Sequence, residues 1–154
     1  MLGSADEGRA AKREAFALLL LRLGLGYFLL VWGVTKFLVP QQTVAIWGYF
    51  YDIEIDNALP LLFGAGEVIV ALAIVFGVAR PISYAVGFLI HAVTVVVISQ
   101  SLFMPFVVED GFPVNRNSSV ALAALVGFAA LYLLRARDRW SVDAWFLARR
   151  TGKS

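Results

Sequence analysis

Four apolar runs divide the chain, and each has about the length of a membrane-spanning helix. They cover about residues 15–39, 60–78, 82–104 and 118–134. An α-helix needs about 17–25 residues to cross the hydrocarbon core of a bilayer. The pattern therefore predicts an all-α membrane protein, a four-transmembrane-helix bundle in which residues 1–154 form a single transmembrane domain.

The first outer loop, between runs one and two, is predicted to contain a short interfacial helix. Pro40 suits the start of a helix. The apolar and aromatic residues that follow it are Val44, Ile46, Trp47, Tyr49, Phe50 and Tyr51. Because Trp and Tyr are enriched at the membrane–water boundary, this helix is expected to anchor the loop on the outer leaflet. A lid over a pocket within the membrane is the alternative.

Basic residues predict that both chain ends lie on the cytoplasmic side. The basic residues assigned to that side are Arg9, Lys12, Arg13, Arg80, Arg135, Arg137, Arg139, Arg149, Arg150 and Lys153. The opposite loops carry acidic residues and Arg116, with Lys36 near the boundary. By the positive-inside rule, this is a multi-pass protein of the cell (inner) membrane with both termini cytoplasmic. The tail, residues 135–154, also carries Trp140, Trp145 and Phe146, which predicts an amphipathic segment on the inner surface.

Composition agrees with a membrane protein and narrows its chemistry. The 154 residues are 60% hydrophobic, against roughly 45–50% in soluble domains. The absence of cysteine excludes disulfide exchange, thiol nucleophiles and cysteine-ligated iron–sulfur clusters. No Walker loop, dinucleotide-binding glycine fingerprint or hydrolase motif is present, so whether the chain is an enzyme stays open. A metal site, a covalently bound cofactor and a nucleic-acid partner are not expected.

Small residues recur at helical spacing on each predicted span. Lipid provides no hydrophobic drive for helix association, so helix contacts within membranes favour small residues. The predicted packing positions are Gly26, Gly33, Gly64, Gly87 and Gly127. On the fourth run the small-residue face comprises Ser119, Ala123, Gly127 and Ala130. The four faces are expected to turn toward one another.

Glu67 is the foremost candidate for a functional group inside the membrane. It lies about 10 Å below the outer boundary, where an unpaired carboxylate costs several kcal/mol. Lys36, near the outer end of the first run, can reach inward along its aliphatic stem. A structural Lys36–Glu67 ion pair and a proton-handling or ligand-binding site are both open readings.

His91 and Arg22 are the other buried candidates. His91, the chain's sole histidine, lies near mid-membrane and is interpreted either as hydrogen-bonded to a neighbouring helix or as contacting a quinone carbonyl or a proton relay. Arg22 lies in the inner half of the first run. It either extends toward the cytoplasmic edge or is neutralised by Asp138 or Asp143, if the tail folds back.

The sequence resembles the DoxX/DoxD-like family of small four-helix membrane proteins. The matching residues of the first run are Arg22, Leu23, Gly24, Phe28, Gly33 and Lys36. Gly64, Glu67, Gly77 and Arg80 match around the second, and the tail stretch is Asp138-Arg-Trp-Ser-Val-Asp143. The resemblance implies association with membrane redox systems, including the small subunit of thiosulfate:quinone oxidoreductase, and with soluble oxidoreductase partners.

Three functional hypotheses follow. The first is an accessory membrane subunit of a quinone-linked redox complex, whose polar interior is lined or braced by Glu67, Lys36, His91 and Arg22. Its expected partners are the lipid bilayer and other subunits, and homo-oligomers are possible under this hypothesis. The second is a small-solute or proton transporter that depends on Glu67. The third is an assembly or scaffold subunit, in which the polar interior is purely structural.

Overall fold

Long apolar helices dominate the structure. The computed structural model describes residues 3–150 and 152, without the side chains of residues 3–5, 50 and 51. Lys153 and the side chains of Phe50 and Tyr51 therefore lie outside the described part. The helices are α1 Gly3–Leu38, α2 Pro40–Tyr51, α3 Ala58–Phe76, α4 Arg80–Val97, α5 Ser99–Phe103, α6 Ser118–Leu133 and α7 Val142–Arg150.

Two small elements complete the described chain. Strands β1 Val108–Glu109 and β2 Phe112–Pro113 form an antiparallel hairpin between α5 and α6. A single 3₁₀ turn, Arg135–Arg137, joins α6 to the tail. Neither element interrupts the helical bundle.

Three of the described helices are long and apolar enough to cross a membrane. They are the Asp6–Leu38 part of α1, Ala58–Phe76 and Arg80–Val97, and α6 is a shorter apolar helix. Large apolar side chains on their outward faces are exposed, among them Tyr27, Leu62, Ile69, Ile82 and Val126. Such an apolar exterior is stable against acyl chains, not against water. The chain is a helical, multi-pass membrane protein.

The third predicted span is interrupted. The sequence predicts one helix over residues 82–104, whereas α4 ends at Val97 and the short α5 resumes at Ser99. Residues 94–98 are all β-branched, and such residues lose side-chain freedom in a helix. Ile98 leaves the helical conformation with φ −90° and ψ 13°. The helix is therefore interrupted at Ile98, between α4 and α5.

The four long helices form a closed ring in the order α1, α3, α4, α6. Along α1, Gly26 lies beside Val75 while Gly33 lies beside Val68, so α1 and α3 run antiparallel. The fully buried core contains Leu29, Ile74 and Phe128. These side chains fill the middle of the bundle, so the remaining space for a site lies toward its two ends.

The small-residue face predicted for α6 is wrong for Ser119 and Ala123, whereas Gly127 packs against Leu25 of α1. Ser119 and Ala123 are exposed, whereas the buried residues of this helix are Ser118, Ala124, Phe128 and Leu131. A Cβ atom on Gly87 would lie 2.8 Å from the Phe128 ring, so this glycine makes room for the aromatic side chain. Packing of one large ring against a glycine on the neighbouring helix outweighs contact between two small-residue faces, because the ring buries far more surface.

Candidate functional site

Polar side chains inside the bundle gather toward its two ends. The loop end carries α2, α5 and the β1–β2 hairpin, and the tail end carries the α3–α4 turn and tail residues 135–150. Lys36, Glu67 and His91 line a cavity that opens toward the loop end. Arg22 instead contacts the tail. The four candidate residues therefore belong to two separate sites.

The loop-end cavity lies between α1, α2, α3, α4 and α6. Its volume is about 1210 Å³, larger than the roughly 300–1,000 Å³ of typical small-molecule pockets. Its apolar and aromatic lining includes Phe28, Trp32, Ile46, Trp47, Phe63, Ile90, Val93 and Val120. Polar groups are fewer and include Lys36, Glu67, His91, Thr43, Gln42 and Gln100. The cavity thus combines a mainly apolar surface with a substantial set of polar side chains, which also includes Thr94, Ser101 and Asn115.

Lys36 and Glu67 form an ion pair on the wall of this cavity. The Nζ atom of Lys36 donates to Oε2 of Glu67 at 2.7 Å, and the side chains are only 14% and 15% exposed. Close approach of α1 and α3 brings the two residues together. A Cβ atom on Gly64 would lie 2.8 Å from the Gly33 carbonyl oxygen and 3.0 Å from Cβ of Lys36. The glycines therefore set the helix separation at which the ammonium group reaches the carboxylate.

His91 is held between two aromatic rings. Its ring centroid lies 5.1 Å from that of Phe28 and 4.9 Å from that of Phe128, and the residue is 5% exposed. Its Nδ1 atom has no hydrogen-bond partner among the described residues. A buried polar atom without a partner costs about 1–3 kcal/mol. The two rings therefore fix the plane of the imidazole on the cavity wall.

Helix α2 covers part of the cavity. Gln42, Thr43, Ile46 and Trp47 contribute to the lining, and Thr43 is buried. The indole of Trp47 stacks on the Phe63 ring of α3, with centroids 5.4 Å apart and planes 18° apart. This stacking holds α2 against the bundle, so the aromatic residues of the first outer loop serve the cavity as well as the surface.

Arg22 is neutralised by the tail at the opposite end of the bundle. Its Nη1 atom donates to Oδ2 of Asp138 at 3.1 Å, and its Nη2 atom donates to the Trp140 carbonyl oxygen at 2.7 Å. The Tyr84 hydroxyl donates to the same Asp138 oxygen at 2.6 Å. Both charged side chains are almost fully buried. The folded-back tail, one of the two sequence readings of Arg22, is the arrangement found here.

A second set of contacts fixes the tail to the α3–α4 turn. Oδ1 and Oδ2 of Asp143 accept the backbone N–H groups of Ala79 at 3.0 Å and Arg80 at 2.9 Å. These groups begin α4, where a carboxylate is favoured by the helix dipole. Nη1 of Arg80 in turn donates to the backbone carbonyls of Arg135 and Asp138. The tail therefore acts as a cap for a helix that precedes it by more than 50 residues.

Gly77 makes this junction possible. It ends α3 with φ +66°, a conformation that favours glycine. A Cβ atom there would lie 2.3 Å from Nη1 of Arg22 and 2.5 Å from Cβ of Ser141. The backbone carbonyl of Gly77 also accepts the N–H of Asp143 at 3.2 Å. The turn, the arginine and the tail are thus packed around one residue without a side chain.

Sequence reasoning missed several members of the two sites. Tyr84 was not among the predicted site residues, yet its hydroxyl donates to Asp138. Phe28 and Phe128, which hold His91, carry no polar signal that a sequence pattern could detect.

Among the described residues, no group of three or more His, Asp or Glu residues comes together in metal-binding geometry.

Comparison with known proteins assigns the family. The DoxX family model matches residues 17–100, which is more than half of the chain and covers α1 from residue 17 onward, α2, α3 and α4, with the loop-end ion pair. The tail that binds Arg22 lies outside the matched range. No curated protein and no solved structure matches the chain. With its apolar helices and the match across them, the chain belongs to the DoxX family of membrane proteins.

Proposed function

We propose that this DoxX-family protein is an accessory membrane subunit of a quinone-linked redox complex. In this proposal the loop-end cavity binds the quinone head group, and protein partners contribute the remaining redox chemistry. The observation that carries the proposal is the aromatic cavity of about 1210 Å³, whose wall holds the buried His91 and the largely buried Lys36–Glu67 pair.

The residues of the cavity fit a quinone. A quinone ring is flat and apolar on its faces, and its two carbonyl oxygens accept hydrogen bonds. His91 lines the cavity with an imidazole that can donate a hydrogen bond, and the Lys36 ammonium has donors beyond the one that Glu67 accepts. When bound, a quinone supplies reversible transfer of two electrons and two protons. The contribution of this chain is to position the head group and to exclude water from it.

The cavity wall also offers a path for an isoprenoid tail. Trp32, Val93 and Val120 line the cavity and are 46%, 55% and 52% exposed, so they border both the cavity and the lipid-facing surface. A hydrophobic tail leaving between these residues enters the acyl chains without crossing a polar surface. This supports a lipid-soluble ligand over a water-soluble one.

The accompanying topology has four spans, with α6 as the fourth. Its 16 residues extend about 24 Å, somewhat short of the roughly 30 Å hydrocarbon core. Leu134 and the 3₁₀ turn prolong it at the tail end, and it packs against α4 along its length. Both termini are then cytoplasmic in the cell (inner) membrane, and α2 lies at the outer interface. Cysteine labelling at positions 4 and 152 should give the same side, and labelling from opposite sides excludes this topology.

Quinone binding can be followed through the cavity's own tryptophans. Trp32 and Trp47 line the cavity, and Trp140 and Trp145 do not. In a Trp140→Phe/Trp145→Phe background, a short-chain benzoquinone should quench the remaining fluorescence saturably. His91→Leu should weaken this binding by about tenfold or more, as loss of one buried hydrogen bond predicts.

Ser83→Ala is the matched control for His91→Leu. Ser83 is also a buried polar residue on α4, but its hydroxyl bonds the Val78 carbonyl at the tail end. It should leave quinone binding unchanged. Equal quenching in wild type and His91→Leu contradicts the proposal, as does purification in mild detergent without either quinone or a protein partner by mass spectrometry.

A second candidate function is transport of protons or small solutes. It is favoured by the position of Glu67, a partly accessible carboxylate on the cavity wall. Flux into proteoliposomes should then disappear in Glu67→Gln while quinone does not quench the cavity tryptophans. Flux that persists in this variant removes Glu67 from any transport mechanism.

A further inference from the structure

A second cavity lies at the tail end, between the end of α3 and the C-terminal tail. Its volume is about 660 Å³. Its lining comprises Arg22, Val75, Phe76, Arg139, Trp140, Ser141, Val142, Trp145 and Phe146. We call it the tail groove. It shares no lining residue with the loop-end cavity, so it is a separate feature of the molecule.

The cation at the mouth of the tail groove is uncompensated. Arg139 is exposed and makes no hydrogen bond or ion pair with the described residues. The nearby carboxylates are already engaged, Asp138 by Arg22 and Asp143 by the start of α4. The guanidinium of Arg149 lies 3.7 Å over the Trp145 ring, which keeps a second positive charge beside the groove. The groove mouth is therefore a site for an anion.

The floor of the groove is formed in part by Arg22, which is already paired with the tail. Arg22 is 3% exposed and forms part of the lining. Its two Nη atoms are engaged, whereas its Nε atom has no hydrogen-bond partner among the described residues. Because Asp138 balances the charge of Arg22, Arg139 carries the uncompensated positive charge of the groove.

An apolar track continues from the groove along α3. Phe76 lines the groove and is 56% exposed, and the next exposed side chains on that face are Leu72 and Ile69. These positions are spaced four and three residues apart, so they form one stripe on the helix. Trp140, Trp145 and Phe146 are about half exposed at the rim, as aromatic residues at a membrane interface are. A ligand with an anionic head and apolar chains matches both parts.

We propose that the tail groove binds an anionic phospholipid from the leaflet at the tail end. Arg139 contacts the phosphate, Trp140 and Trp145 border the head group, and an acyl chain follows Phe76, Leu72 and Ile69 along α3. A purely acidic protein surface would use the arginines and leave the apolar stripe uncovered. The inference depends on membrane insertion and is independent of quinone binding at the opposite end.

The test is native mass spectrometry of the full chain released from a neutral detergent. Phosphatidylglycerol and phosphatidylcholine with identical acyl chains are titrated in parallel. Phosphatidylglycerol should bind more tightly, and Arg139→Gln should raise its apparent Kd by roughly tenfold, as loss of one charge-assisted contact predicts. Arg149→Gln should have a smaller effect in the same direction.

Arg137→Gln is the matched control. Arg137 lies in the same tail and carries the same charge, but it pairs with Glu14 and does not line the groove. It should leave lipid affinity unchanged. Equal binding of both lipids, or equal losses in Arg137→Gln and Arg139→Gln, overturns the proposal. If soluble glycerol phosphate binds as tightly as the lipid, the groove is a site for a free phosphate and the proposal is wrong. If polyglutamate binds and the lipid cannot displace it, the groove is a site for an acidic protein and the proposal is also wrong.

Discussion

Arg22 and Asp138, 116 positions apart in the chain, form an almost fully buried ion pair, with 3.1 Å between Nη1 and Oδ2. The pair joins the first long helix to the segment that follows the last one. Tyr84 on α4 donates to the same carboxylate, so three parts of the chain meet at one oxygen atom. Removal of the Asp138 charge should therefore weaken the contacts that hold α1, α4 and the tail together at the tail end of the bundle.

Asp138→Asn should destabilise the protein strongly. The substitution leaves Arg22 buried without a counter-charge, and breaking a buried pair in this way costs about 3–5 kcal/mol. Unfolding in mixed detergent micelles, measured by circular dichroism, gives the loss. Release of the tail should also expose it to trypsin at Arg139 and Arg149.

Glu14→Gln provides the comparison for Asp138→Asn. It breaks the Arg137–Glu14 pair, which also joins α1 to the tail but lies at the solvent-accessible surface. Little change in stability is expected because water and salt screen an exposed pair. If both substitutions have the same effect, the buried pair has no special role in holding the tail.

The loss of stability on replacing Glu67 should depend on whether the new side chain can still accept a hydrogen bond from Lys36. Glu67→Leu leaves the ammonium group unpaired and should cost about 2–3 kcal/mol, whereas Glu67→Gln retains a hydrogen-bond acceptor and should cost less. The double variant Lys36→Met/Glu67→Leu should recover much of the loss. The same unfolding measurement gives the three values, and a double variant less stable than either single one would show that the pair is not coupled in this way.

Two glycines on α3 should give opposite results when replaced by alanine. At Gly64 the new Cβ would lie 2.8 Å from the Gly33 carbonyl oxygen, so Gly64→Ala must separate α1 from α3 and should cost about 1–3 kcal/mol. Nothing lies within 4 Å of such an atom at Gly66. Gly66→Ala should stabilise the helix by roughly 0.5–1 kcal/mol.

Gly64→Ala and Gly66→Ala lie on the same helix and add the same methyl group. Thermal unfolding of both therefore isolates the helix contact from intrinsic helix propensity. Gly64→Ala should also weaken quinone binding, because Lys36 moves away from Glu67 on the cavity wall. Equal stability of the two variants would argue against a close α1–α3 contact.

His91→Leu should separate stability from ligand binding. The leucine removes a buried nitrogen that has no hydrogen-bond partner among the described residues and keeps an apolar side chain between Phe28 and Phe128. Stability should be unchanged or higher, by up to about 1–3 kcal/mol, while quinone binding weakens by about tenfold or more. A fall in both quantities would instead indicate that His91 serves the packing of α4.

Much of the fold follows directly from local patterns. The apolar runs around residues 15–39, 60–78 and 82–104 correspond to long helices, because in lipid each segment must satisfy its own backbone hydrogen bonds. Pro40 begins a helix as predicted. The family could likewise be identified from residues within the matched range, such as Arg22, Gly33 and Glu67. These are properties of single segments, and neighbouring helices do not alter them.

The partners of the polar residues depend on three-dimensional placement. The sequence analysis assigned Arg22 and Lys36 to one polar interior, but their separation along α1 places them at opposite ends of the bundle, where each meets a different acid. The buried face of α6 likewise depends on Phe128 fitting against Gly87, a contact between distant segments. Hydrophobicity selects a helix within its own stretch of chain, whereas ion pairing and ring packing require groups from separate stretches to meet within a few ångströms, and such meetings depend on how all the helices close together.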